Sequence, residues 1–322
     1  MRNQLDTEPA SSSFRWLILA TLTSIFVLVV LGGVVRVTES GLGCPDWPLC
    51  HGKIIPSADA ETLIEYSHRM VASFVGVMVL ATAVVAWRRY RNRLWIFLPS
   101  VLGLVLVIVQ GALGGVTVLT ELEGRMVMAH LALAEALMAI FTLVTLAAWR
   151  GITFTTEKLN GLAILAAIAA LAAYTLLLTG SYTTTSGASG ACNQWPLCQE
   201  GSLFMSSKLP AIHMIHRFVA LLVGLIILAT VGLAWNRRAV RRDLAGMAVL
   251  ALGIFVFQVL VGALTVWWGL PTEMRALHLA LGTGVWVAFT ALALLPYTPA
   301  PPVSKSTGVE TGPLPHLKVV AR

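Results

Sequence analysis

Charged residues are scarce in this sequence. Lysine, arginine, aspartate and glutamate together make up 11% of its 322 residues, whereas 57% of the residues are hydrophobic and the mean hydropathy is +0.82. A soluble globular domain of this length needs many more polar side chains on its surface, so that class is excluded. The composition predicts a protein embedded in a lipid bilayer.

The sequence also lacks the motifs of magnesium-dependent prenyl transfer, of covalent heme attachment and of zinc binding. The four aspartates, at positions 6, 46, 59 and 243, are too scattered for the aspartate-rich magnesium motifs of a membrane prenyltransferase. The four cysteines form two Cys-x5-Cys pairs, so the two-residue spacing of covalent heme attachment is absent. Zinc is disfavoured because the potential ligands lie in widely separated loops.

Long apolar runs, by contrast, occur eight times, and each is long enough to cross a bilayer core of roughly 30 Å as a helix. We therefore predict an all-α integral membrane protein. The polar tails, 1–13 and 296–322, are predicted to be disordered, with a cytoplasmic linker at 150–159. The predicted spans are approximately 14–38, 62–87, 95–119, 126–149, 160–183, 211–235, 245–268 and 275–295.

The net charge of +7 is distributed asymmetrically about these spans. Lys and Arg follow spans 2, 4 and 6, whereas the opposite loops are acidic. The positive-inside rule then places both termini in the cytoplasm and the cysteine loops outside, which makes the basic charge a sign of topology and not of nucleic-acid binding. The basic residues are Arg88, Arg89, Arg91, Arg93, Arg150, Lys158, Arg237, Arg238, Arg241 and Arg242.

The unusual polar residues repeat at a constant offset of 148 positions, which indicates an internal duplication. We predict two tandem, pseudo-symmetric four-helix bundles, at 14–149 and 160–295. The cysteine pairs, located outside, are predicted to form two disulfides, and either stapling of the loop or a redox role would explain them. The repeated pairs are Cys44 with Cys192, Cys50 with Cys198, His68 with His216, Arg69 with Arg217, Gln110 with Gln258, and His130 with His278.

The four repeated histidines are predicted to lie at similar depth, near the outer surface. A lone membrane histidine more often makes an interhelical hydrogen bond, but four at matched depth favour metal ligation. Two imidazoles that face each other from separate helices can bind heme iron as its two axial ligands. We therefore predict two heme sites, one with His68 and His130 and one with His216 and His278.

The residues around these histidines differ in how clearly they indicate function. Arg69 and Arg217 could either contact heme propionates or reach the lipid headgroups. Helix packing is the preferred interpretation of Gln110, Gln258 and the glycine and threonine that follow each of them. Glu65 has His213 as its repeat counterpart, so a carboxylate lies near only one site, which indicates that the first half does chemistry. Glu135 is also confined to the first half, and its role stays open.

Cys44-Pro-Asp-Trp-Pro-Leu-Cys50, Glu65-Tyr-Ser-His68-Arg and the duplicated histidines resemble those of the bacterial heme A synthase family over roughly residues 14–295. The resemblance implies that heme O is oxidised at a methyl group to give heme A. It also implies that His68 and His130 face this substrate, that His216 and His278 hold heme b, and that Glu65 is needed for activity. A redox or substrate-transfer role for the first cysteine pair is implied as well, with heme O synthase and an electron acceptor as partners.

Two other classes remain as alternatives. A diheme b-type cytochrome that exchanges electrons with quinone would commonly carry two histidines on one helix, about four turns apart, and no helix here has them. A transporter with parallel repeats would explain the duplication but not four matched histidines. The sequence does not identify the electron acceptor, the oxygen source or the oligomeric state.

Overall fold

The computed structural model describes residues 8–152, 161–198 and 207–300, and within them the chain forms eight long α-helices and no strand. The eight predicted spans are confirmed, and every boundary lies within three residues of the expected one. All eight helices are long and apolar enough to cross a membrane. They are α1 Ser12–Val37, α2 Ala60–Tyr90, α3 Leu94–Leu119, α4 Gly124–Arg150, α5 Gly161–Thr185, α6 Lys208–Asn236, α7 Arg242–Trp267 and α8 Thr272–Leu294.

Local side-chain chemistry sets several of these boundaries. Asp59 precedes α2 and its carboxylate accepts a hydrogen bond from the Thr62 backbone N–H, at 3.0 Å. Glu123 caps α4 in the same way through the N–H of Met126. These bonds satisfy backbone donors that have no partner within the helix. Gly151 follows α4 with a φ of 70°, a conformation that glycine adopts at little cost.

The helix contacts have the same cyclic order in both halves. In the first half α1 and α3 each pack against α2 and α4, and in the second half α5 and α7 each pack against α6 and α8. The halves meet where α8 contacts α1 and α4, and where α4 contacts α5. Each half therefore has the neighbour relations of a four-helix bundle, while the assignment of separate functions to the halves stays a prediction.

Contacts with the end of α4 extend into both segments that we predicted as tails. Within the N-terminal tail, the backbone N–H of Ala10 donates to the carbonyl of Ala148 at 2.7 Å, and Ala10 is buried. Within the C-terminal tail, a short 3₁₀ turn covers Leu295–Tyr297, and Arg150 donates to the carbonyl of Pro299 at 2.8 Å. These segments pack on the end of α4. Residues 1–7, 153–160, 199–206 and 301–322 lie outside the described part of the chain, and they include most of the linker predicted at 150–159.

Candidate functional site

The four histidines occupy equivalent places in the two halves. His68 and His216 are each eight residues from the start of their helices, α2 and α6, whereas His130 and His278 are six residues into α4 and α8. At a rise of about 1.5 Å per residue these positions are roughly 12 and 9 Å below the helix starts. The depths are slightly greater than predicted because the helices begin two to three residues earlier.

Each of these imidazoles lies against a glycine of a neighbouring helix. A Cβ atom added at Gly32 or Gly114 would lie 3.1 Å from Cε1 of His68 or His130, respectively. In the second half the same relation joins Gly180 to His216, at 3.1 Å, and Gly262 to His278, at 2.8 Å. Any larger residue would therefore push the imidazole out of place. These glycines recur at the offset of 148, which is the signal that could have identified them from the sequence.

The histidines are paired within each half. The imidazoles of His68 and His130 lie close enough to interact electrostatically, and so do those of His216 and His278. All four side chains are half-buried. The structure thus brings together the predicted partners, one from the second and one from the fourth helix of each half.

One of the four histidine rings differs from the others in the surroundings of its Nδ1 atom. Nδ1 of His68, of His130 and of His278 is buried and has no hydrogen-bond partner among the residues that the structure describes. Nδ1 of His216, in contrast, lies 3.0 Å from the hydroxyl of Thr179 on α5. The sequence analysis missed Thr179, although its repeat counterpart, Leu31, differs in an otherwise matched environment.

Gln110 confirms the packing interpretation of its helix face. Its Nε2 donates to the backbone carbonyl of His130 at 2.8 Å, which joins α3 to the helix that bears the histidine. Gly114, one turn further along, is the glycine against which the same imidazole lies. The polar and small residues of this face therefore position His130 on α4.

Both predicted disulfides are present, Cys44–Cys50 and Cys192–Cys198. All four cysteines are at most 2% exposed. Thiol–disulfide exchange requires access of an attacking thiolate, so this burial favours the stapling role over the redox role that we had left open. In the first loop, Trp47 lies against Gly115, the residue that follows the glycine beside His130. The first disulfide loop therefore covers the helix end next to the first histidine pair.

Arg69 and Arg217 anchor the two disulfide loops to the helices. Arg69 donates to the carbonyl oxygens of Asp46, Leu49 and Cys44 at 2.8 to 2.9 Å. Arg217 makes the equivalent contacts with the carbonyls of Gln194, Pro196 and Leu197. The loop carbonyls therefore engage most of the donors of Arg69, a contact that neither alternative for these arginines included. Contact of either guanidinium with a heme propionate or with lipid headgroups stays a prediction.

Glu65 is buried and forms an ion pair with Arg69 of 2.8 Å. Its counterpart, His213, contacts Arg217 at 3.2 Å, so both residues support a loop-anchoring arginine. The helix begins at Ala60, which places Glu65 in the second turn. Of its two oxygens, Oε1 accepts the bond from Arg69.

Glu135 links the two halves and does not contact the histidines. Its Oε1 accepts a 2.6 Å hydrogen bond from the hydroxyl of Thr283, which is its own counterpart at the offset of 148. Trp286 of α8 also donates to the backbone carbonyl of Glu135 at 2.8 Å. This carboxyl is fully buried where α4 meets α8.

Two carboxylates in the loop before α2, those of Asp46 and Asp59, have lowered pKa values. The carboxylate of Asp46 accepts hydrogen bonds from the backbone N–H groups of Gly52 and His51, which lower its pKa. The N–H of Thr62 and the hydroxyl of Ser57 lower the pKa of Asp59 to about 2. Both carboxylates are therefore ionised at neutral pH, and they order the first loop and the start of α2.

The donor set of each pair fits heme iron. Two opposed imidazoles are sufficient axial ligands for heme, whereas a site formed by protein side chains alone generally needs three or more. In the part of the chain that the structure describes, no three histidine, cysteine or acidic side chains converge. The glycine beside each imidazole lets the ring pack closely against the neighbouring helix, and this arrangement is compatible with imidazoles that serve as iron ligands.

Comparison with known proteins gives a consistent result. The model of the COX15-CtaA family, described as cytochrome oxidase assembly protein, matches residues 15–290. The chain is 32% identical to the heme A synthase of Halalkalibacterium halodurans over 292 residues, which cover 86% of this chain and 95% of that relative. It is 30% identical to the heme A synthase of Alkalihalophilus pseudofirmus (87% and 96% covered) and 32% identical to that of Symbiobacterium thermophilum (85% and 92% covered).

Proposed function

This chain belongs to the COX15-CtaA family of cytochrome oxidase assembly proteins, and we propose that within this family it acts as a heme A synthase. The reaction is the oxidation of one methyl group of heme O to the formyl group of heme A, for supply to a terminal oxidase. It proceeds by two successive oxidations, first to the alcohol and then to a hydrated aldehyde that loses water. The observation that carries the proposal is the pair of histidine sites, each built on two glycines in a chain of this family.

The two halves have different tasks. His216 and His278 would hold heme b in the second half, and His68 and His130 would hold the substrate heme O in the first half. This assignment is supported by the broken repeats: a carboxylate, Glu65, is present only near the first pair, and a hydrogen bond between a histidine ring and the hydroxyl of Thr179 is present only near the second. The hydrogen bond between Thr179 and His216 fixes a ligand ring, which suits a permanently bound cofactor. A substrate heme must leave its site, so a ligand without this bond suits it better.

The residues of the first half bind, cover and orient the substrate. The glycines beside His68 and His130 let the imidazoles sit close to their neighbouring helices, and the anchored disulfide loop excludes water from the outer end of the site. When bound, heme supplies the redox chemistry of its iron. Glu65 takes up a proton as the methyl group is oxidised, and Arg69 holds its carboxylate in position.

The membrane orientation follows from charge. The arginines that follow α2, α4 and α6 place those loops in the cytoplasm, together with both termini. The disulfide loops are then extracytoplasmic, where an oxidising environment maintains them. The hydrocarbon tail of heme O lies among the helices or in the surrounding lipid. Heme O synthase and an electron acceptor are the further partners of this reaction.

Pigment analysis of the purified protein tests this function. The native protein should contain heme B together with heme O or heme A. His216→Ala or His278→Ala should remove heme B and its low-spin absorbance while the first-half pigment remains. His68→Ala or His130→Ala should have the opposite effect, so each pair serves as the matched control for the other. Two equivalents of heme B without heme O or A would instead identify a diheme cytochrome.

A further inference from the structure

The hydroxyl of Thr179 makes two hydrogen bonds that together determine the state of the His216 ring. It lies 3.0 Å from His216 Nδ1 and 2.9 Å from the backbone carbonyl of Leu176, one turn earlier in α5. A threonine hydroxyl has one proton to donate. Since the carbonyl of Leu176 can only accept, that proton goes to Leu176, and Thr179 accepts from the Nδ1–H of His216.

This arrangement leaves Nε2 of His216 without a proton. A neutral imidazole carries its proton on one nitrogen only, and the protonated nitrogen here is Nδ1. Nε2 then presents a lone pair, the form that binds iron. A hydrogen bond from the outer ring nitrogen also fixes the ring orientation and increases the basicity of the ligand.

The first half has no such hydroxyl at the position equivalent to Thr179. Leu31 stands 148 residues before Thr179, and an aliphatic side chain offers no acceptor. Nδ1 of His68 is accordingly buried and has no hydrogen-bond partner among the described residues. The glycine contact is preserved, because a Cβ added at Gly32 or Gly180 would lie 3.1 Å from Cε1 of His68 or His216, respectively. At this position the two sites thus differ in whether Nδ1 of the histidine has a hydrogen-bond partner.

We propose that Thr179 is a positioning residue that makes the second site retain its heme, and that leucine at position 31 keeps the first site exchangeable. This inference rests on the proposed function, in which one heme is a cofactor and the other a substrate. The expected effect is kinetic as well as electronic. Loss of a partner that orients a metal ligand typically weakens metal binding by about 10- to 100-fold.

The test compares three substitutions in the full-length protein. Thr179→Val keeps the shape and removes the hydroxyl, Thr179→Ser keeps the hydroxyl, and Thr175→Val removes an exposed hydroxyl one turn earlier on α5. The readouts are the rate at which heme B passes to excess apomyoglobin and the midpoint potential of the low-spin heme. Both are independent of turnover.

Thr179→Val should release heme B about 10- to 100-fold faster, and its midpoint potential should rise because a less basic imidazole stabilises ferric iron less. Thr179→Ser and Thr175→Val should behave like the native protein. Unchanged release and potential in Thr179→Val would overturn the inference, and so would an equal change in Thr179→Ser, which would indicate packing alone. A native protein that holds no heme B in its second half would instead refute the proposed function.

The reciprocal substitution tests the first site. Leu31→Thr supplies a hydroxyl at the position that Thr179 occupies in the second half, and it should slow the release of the first-half heme by a similar factor. Heme release from the second site is the internal control and should not change. If release from the first site is unaffected, position 31 does not account for the difference between the sites.

Discussion

Replacing a glycine beside one of the histidines by alanine should weaken heme binding but raise the intrinsic stability of the helix. A Cβ at Gly262 would lie 2.8 Å from Cε1 of His278, whereas ordinary contact begins at 3.4 Å. Gly262→Ala therefore requires the imidazole to move by about 0.6 Å, beyond the tolerance of about 0.2 Å expected for metal–ligand distances. For Gly180→Ala, the contact of 3.1 Å with His216 requires only half that movement. Heme loss should thus be severe in the first variant and partial in the second.

Helix propensity acts the other way, since alanine is favoured over glycine by about 1 kcal/mol in a helix interior. The helix should not be lost, even though forcing the contact costs roughly 1–3 kcal/mol locally. Gly253→Ala, in the same helix α7, is the matched control because nothing lies within 4 Å of its added Cβ. Heme B per protein and the low-spin absorbance are measured beside the melting temperature. Native heme B content and spectrum in Gly262→Ala would refute the ligand geometry.

Three further predictions concern carboxylates. Glu65→Gln keeps an oxygen for Arg69 and hence the loop anchor, so it should retain heme B but accumulate heme O or a partly oxidised product, with turnover reduced roughly 10²- to 10⁴-fold; near-normal heme A by pigment chromatography would exclude the catalytic role. Thr283→Val leaves the Glu135 carboxyl unpaired and should cost about 1–3 kcal/mol of stability, whereas adding Glu135→Leu should recover most of it; an additive double-mutant cycle in thermal unfolding would contradict this link. The pKa of Asp59 is lowered from 3.8 to about 2 in the folded protein. This helix cap therefore contributes fully to folding stability above pH 3.8, and its contribution is lost as the pH falls towards 2. Asp59→Asn should flatten that acid-side loss of melting temperature, and superimposable profiles of the two proteins below pH 4 would count against it.

The eight spans and the pairing of residues could be predicted from the sequence because both depend on one-dimensional signals. A transmembrane helix must satisfy its backbone polar groups internally, so its length and its apolar composition are visible in the chain itself. The offset of 148 residues likewise identified the histidine and cysteine pairs. Both disulfides follow from a short spacing within one loop.

The contacts between side chains and distant parts of the chain could not be predicted from the sequence. Arg69 follows His68 directly, and the sequence leaves open whether it faces a propionate, the lipid or a loop. Its bonds to loop carbonyls depend on how residues 44–50 fold back over α2. The contacts of Ala10 and Pro299 were not predicted for a related reason, since both residues are held by residues at the end of α4, far away in the chain.

The sequence alone therefore determined the medium, the number of spans, the duplication and the identity of the candidate ligands, because hydrophobicity, length and repetition are properties of consecutive residues. The tertiary structure alone decided that each imidazole lies on a glycine, that Glu135 bonds to its own repeat counterpart Thr283, and that Thr179 reaches the ring of His216. Those contacts join residues 16 to 148 positions apart on different helices. Their geometry depends on the rotation and depth of packed helices, which no local pattern encodes.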